Sequence, residues 1–136
     1  MKKFTKIAAV ALVAIMALAM LVACGPASDP DKAIAALKKH EYTAAKDTVV
    51  SAALKLIGVN VEAVVSGSKT VKDGDKAKLE TVTIVYFTDS SAAKDAFSKV
   101  EDYAKKQNKE NDSDWTVKQS GAMIYWGTSA AIKAAR

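Results

Sequence analysis

Residues 59–88 read VNVEAVVSGSKTVKDGDKAKLETVTIVYFT, and the fold turns on this stretch. Val59, Val61, Ala63 and Val65 alternate with Asn60, Glu62, Val64 and Ser66, a period of two that predicts a strand with one buried face. Lys72-Asp73-Gly74-Asp75-Lys76 is a turn, because Asp-Gly accepts the positive φ of a tight hairpin. The return strand is expected from about Lys78 to Thr88. Its centre, Val82 to Phe87, is apolar on both faces, which predicts a central strand covered on both sides or flanked by neighbours.

Downstream, Asp89-Ser90-Ser91 caps a helix expected to reach about Lys109, with Ala93, Ala96, Phe97, Val100 and Ala104 as its apolar stripe. Asn108 to Asp114 reads as a polar loop. Trp115–Gln119 and Ala122–Trp126 read as a second hairpin around Ser120-Gly121, followed by a short helix from Ser129 to Ala135. Upstream, Val50, Ala53, Leu54 and Ile57 have helical spacing and Gly58 is a natural stop, giving a helix from about Asp47. Asp29-Pro30 starts another helix, which runs to about His40 before Tyr42-Thr43 interrupts it. The expected order is α-α-β-β-α-β-β-α. It implies an α+β two-layer sandwich: a four-stranded antiparallel sheet of two hairpins, with helices on one face.

The chain has 136 residues, room for one domain and one core. Its net charge of +5 is misleading. Lys2, Lys3 and Lys6 account for three of the 20 basic residues, and all 15 acidic residues lie further on. From residue 24 onward, 17 basic side chains face 15 acidic ones, interspersed in sign, so nucleic acid is not an expected partner.

Those early lysines open a three-part leader. A positive stretch, Met1 to Lys6, precedes an apolar run without Pro, Gly or charge from Ile7 to Met20. Leu21-Val22-Ala23-Cys24 follows, then Gly25-Pro26. The tetrapeptide resembles the lipobox of bacterial lipoproteins: an apolar residue, two short residues, then cysteine. The resemblance implies that a diacylglyceryl group is attached to the Cys24 thiol and that a signal peptidase cuts between Ala23 and Cys24. Two acyl chains, at ~0.8 kcal/mol per buried CH₂, anchor stably where one is marginal. Ile7 to Ala23 supplies 17 apolar residues, which sits at the lower limit for an uncleaved membrane-spanning helix. The expected organisation is a signal peptide over 1–23, a lipidated tether over 24–28 and one α+β domain over 29–136. The domain pattern is similar to that of small lipoproteins, and this likeness brings no activity with it. The implied location is the extracytoplasmic face of the cell membrane, with membrane lipid as a partner through acylated Cys24.

Catalytic constellations are weak. Cys24 is the one cysteine and His40 the one histidine, so an intrachain disulfide and a Cys-based zinc site are excluded. His40, beside Lys38, Lys39 and Glu41, reads as a solvated residue near a helix C-terminus rather than a general base. Asp73-Gly74-Asp75 and Asn111-Asp112-Ser113-Asp114 are oxygen-rich, but neither has the spacing of a calcium loop, and turn chemistry explains both. Neither a metal nor a cofactor is expected. Trp115, Tyr125 and Trp126 fall in one hairpin, with Tyr125 and Trp126 on opposite faces; together they are the candidate binding surface, for an envelope protein or a glycan. A small binding or accessory module without a catalytic site is the first expectation. The alternative is a small hydrolase of envelope polymers, using carboxylates brought together by folding; a solute receptor ranks third, because such receptors close two lobes around the ligand.

Overall fold

The computed structural model describes residues 25–108 and 114–136. The expected signal segment with Ala23, and Cys24 itself, lie outside the described residues, as does most of the loop after Asn108. What is described is α+β. In chain order the elements are α1 (Pro30–Lys39), β1 (Thr43–Lys46), α2 (Thr48–Leu56), β2 (Ala63–Asp73), β3 (Lys76–Tyr86), α3 (Ser90–Gln107), β4 (Trp115–Ser120), β5 (Met123–Thr128) and α4 (Ser129–Ala134). The strands form one antiparallel sheet in the order β1-β2-β3-β5-β4, so β3 is central.

Capping defines the three longer helices. The Asp29 carboxylate accepts from the backbone N–H of Asp31 (2.8 Å) and Lys32 (3.3 Å) ahead of Pro30. Asp47 accepts from Val50 N–H (2.9 Å) and Asp89 from Ala92 N–H (2.8 Å). Each satisfies amide donors that the first helical turn leaves unpaired. Gly58, at φ +83°, ends α2 and lets Val59 N–H donate back to Leu54 C=O at 2.9 Å. Val59 is therefore buried beneath the helix end, and β2 begins at Ala63 instead of Val59.

The sheet has five strands where four were expected, because Thr43–Lys46 pairs with Val65–Ser68 as β1. Its sequence, Thr-Ala-Ala-Lys, carries little strand propensity of its own; the ladder to β2 supplies the conformation. The helices also occupy both faces, not one. On the first face α1 and α4 bury Leu37, Val65, Val82, Ile84, Tyr125 and Ile132. On the second, α2 and α3 bury Leu54, Val64, Val85, Val100, Ile124 and Trp126. The doubly apolar runs Val82–Phe87 and Met123–Trp126 are the sequence counterpart of this double cover.

Two glycines let the first face close. A Cβ on Gly127, where φ is +141°, would stand 2.0 Å from the Thr81 carbonyl oxygen. A Cβ on Gly67 would stand 2.8 Å from Leu37 Cδ1. Both flank Val82 across the sheet. Beyond this row, β1 ends its pairing at Ser68 and β5 pairs β3 only as far as Val82. The rest of the β2–β3 hairpin, to the Asp73–Lys76 turn, pairs only with itself and projects as an arm.

Candidate functional site

The first feature is the strap Gly25–Ser28, expected as a tether. Gly25 and Pro26 are buried. Ala27 N–H donates to Ala135 C=O at 2.8 Å, and the Tyr86 hydroxyl donates to Ala27 C=O at 2.8 Å. Gly25 lies so close over Tyr125 that a Cβ there would be 3.0 Å from the ring. Burial, and secondarily the charge of Asp29, push the Tyr86 phenol far above its ordinary pKa, so it stays protonated and donates. The strap thus belongs to the folded body. It borders a cavity of about 620 Å³ with Tyr86, Phe87, Ala122 and Met123, at the end of the sheet where β3 stops and β5 starts.

The second feature is a groove of about 520 Å³ on the second face. Past Val64 and Val85 the side chains on this face become short and hydroxylated. Thr43, Ser68 and Thr81 form one cross-strand row, and Ala45, Ser66 and Thr83 the next, which ends on Trp126. Asp47 stands at the head of the groove, and its two oxygens have different duties. One caps α2, and the other accepts from Ser66 Oγ at 2.6 Å. Ser66 Oγ lies 3.4 Å from Thr83 Oγ1. With the Ser66 proton committed to the carboxylate, its lone pairs remain to accept. Tyr103 of α3 packs edge-to-face on Trp126, with ring centroids 6.1 Å apart. Burial first, then the nearby Asp47 charge, raise the Tyr103 pKa. The groove thus offers hydroxyl donors and acceptors beside the Asp47 carboxylate, with Lys46, Val49 and Val50 also in its walls. That suits hydrogen bonding to a polyhydroxyl ligand.

The three aromatics singled out from the sequence do not form one exposed patch. Tyr125 and Trp126 point to opposite faces, as their spacing requires, but both faces are covered and the two are 7% and 3% exposed. Tyr125 belongs to the core under the strap and Trp126 to the core under α3. Trp115 is half-buried against that second core and lines a separate hollow with Val117, Glu101 and Lys105.

Folding does gather two carboxylates. The Lys78 ammonium lies 3.7 Å from Glu80 and 3.8 Å from Asp114. Asp114 also accepts from Ser129 N–H at 3.4 Å and from its hydroxyl, capping α4 from the turn that precedes β4. Glu80 is 8% exposed, and its Oε2 is buried without a hydrogen-bond partner. Tyr42 stands close enough for that charge to add to burial in raising its pKa. His40 is exposed at the C-cap of α1. Among the described residues no group of three or more His, Cys, Asp or Glu could hold a metal ion.

The hydroxyl groove and the docked strap escaped sequence reading. Hydroxyls at alternate positions, Ser66 with Ser68 and Thr81 with Thr83, were the available signal for the groove. No helix among the described residues is long and apolar enough to cross a membrane. No family model matches this chain, no curated protein matches it, and no solved structure matches it.

Proposed function

We propose that the protein is exported, lipid-anchored through Cys24 on the extracytoplasmic face of the cell membrane, and serves there as a small binding module for a hydroxyl-rich envelope glycan. The observation that carries the binding half is the hydroxyl groove: a part of an otherwise helix-covered sheet lined by Thr43, Ser66, Ser68, Thr81 and Thr83, with Asp47 at its head. A core-facing surface would be apolar there. The anchoring half rests on the Leu21-Val22-Ala23-Cys24 motif, and the buried Gly25-Pro26 supports it, since the folded body starts directly after the expected cleavage point. Binding is favoured over polymer hydrolysis because Glu80 and Asp114 both face Lys78, and Asp114 is further engaged in capping a helix.

Radiolabelled palmitate supplied to expressing cells tests the anchor. The native chain is expected to incorporate label and to sediment with membranes. Cys24→Ala is expected to lose the label and accumulate as the longer precursor; label retained by Cys24→Ala refutes the assignment of Cys24.

A further inference from the structure

We infer that the strap end of the sheet is the surface that meets the bilayer, and that the β2–β3 arm points away from it. This rests on Cys24 carrying the lipid and adds an orientation to that reading. A lipidated domain on a flexible linker tumbles freely above the membrane, because a linker of n residues reaches roughly 5–6 Å × √n. Here no such slack exists. Gly25 is held over Tyr125, and Ala27 is held at both its N–H and its carbonyl. Consecutive Cα atoms are ~3.8 Å apart, so Cys24 leaves the body within one residue of a fixed point.

That fixed point lies at one end of the strands. Tyr86, which holds the strap, pairs with Ala63 and Met123 in the last row of the sheet. Glu62 N–H donates to Tyr86 C=O at the same end, and Phe87 N–H donates to Ala122 C=O. The cavity beside the strap has Pro26, Tyr86, Phe87, Ala122 and Met123 among its walls. Tyr86, Phe87 and Met123 are themselves buried, so this end meets the headgroups through the rim of the cavity, where the exposed Ser28 and Arg136 also line it. The arm occupies the opposite end. From Tyr86 to Lys76, at ~3.3 Å per residue, the strand covers about 33 Å. With the strap end against the headgroups, the arm tip is the part of the domain held farthest from them.

The test uses the lipidated protein extracted from membranes and reconstituted in phosphatidylglycerol–phosphatidylethanolamine vesicles. The Cys24 thiol is consumed by its thioether, so one introduced cysteine takes a donor fluorophore. Glu62→Cys marks the strap end, and Asp75→Cys marks the arm tip. Energy transfer to acceptor-labelled lipid headgroups is expected to be several-fold higher from position 62 than from position 75. Equal transfer, or more from position 75, overturns the orientation. Intact mass is measured on the same samples: a missing diacylglyceryl mass overturns the anchor reading itself, whereas equal transfer with that mass present overturns the orientation alone. An eight-residue Gly-Ser spacer inserted between Cys24 and Gly25 gives the tether slack and is expected to shrink the difference. A difference unchanged by the spacer shows that the strap does not set the orientation.

Discussion

Thr83 and Ile84 are adjacent on β3, yet one faces the hydroxyl groove and the other a sealed core. From Val82 to Tyr86 the first face of the sheet is closed by α1, α4 and the strap, over valine, isoleucine and tyrosine side chains. The second face is closed by α2 and α3 over Val85, Ile124 and Trp126, and then gives way to serine and threonine. One sheet thus carries both a sealed core face and the hydroxylated groove proposed for binding, separated only by the strand period of two. Positions that seal should tolerate little change. Positions in the groove should tolerate much while altering what the protein holds.

The largest effect is expected on the sealed face at Gly127. Gly127→Val places a Cβ against the Thr81 carbonyl at a φ that valine rarely adopts. A loss of stability well above ~3 kcal/mol, or failure to fold, is expected from the overpacking and backbone strain together. Chemical denaturation or soluble yield measures it, and a fully stable Gly127→Val contradicts the closeness of β3 and β5 at that row.

Ile84→Ala removes a fully buried side chain and should cost about 2–5 kcal/mol in urea unfolding. Thr83→Val removes one hydroxyl from a part-exposed position, with a stability change expected within ~1 kcal/mol. It should nonetheless weaken ligand retention. If the two substitutions prove equally destabilising, the groove is core and the contrast between the faces disappears.

A smaller effect distinguishes the strap. The Tyr86 phenol is held protonated in the folded protein, its pKa raised above the model-compound value of 10.0. A raised folded-state pKa gives stability that is present below pH 10 and is lost as pH rises further toward the folded value. Tyr86→Phe is expected to lower stability by about 1 kcal/mol at neutral pH through the lost hydrogen bond to Ala27. It should also flatten the decline above pH 10 relative to the native chain. Parallel alkaline profiles for the two proteins would mean that Tyr86 ionises as easily folded as unfolded.

Much of the architecture was legible in the sequence because it depends on local periodicity. The Asp73-Gly74 turn, the Asp47 and Asp89 helix starts and the Gly58 stop all stand where sequence placed them. What escaped depends on contacts between distant residues. β1 exists because Ala44 and Ala45 pair with Gly67 and Ser66, and within Thr43–Lys46 Thr43 alone favours a strand. The cover on both faces was visible in Val82–Phe87 and Met123–Trp126, but a pattern of two hairpins with intervening helices led to a one-sided arrangement. Trp126 and Tyr125 were attractive as a binding surface only while one face was assumed bare. The groove needs Asp47 to meet Ser66 across 19 residues of chain. The strap needs Ala27 to meet Ala135 and Tyr86. Neither meeting has a sequence signature.

The division of labour between the faces is tested most directly by amide chemical-shift mapping of the folded domain titrated with soluble peptidoglycan fragments. Shifts concentrated at Asp47, Ser66, Ser68, Thr81 and Thr83, and abolished by Thr83→Val, are the expected result. Shifts confined to the strap and to β4, or none at all at millimolar fragment, would show that the hydroxyl face is not where this protein binds.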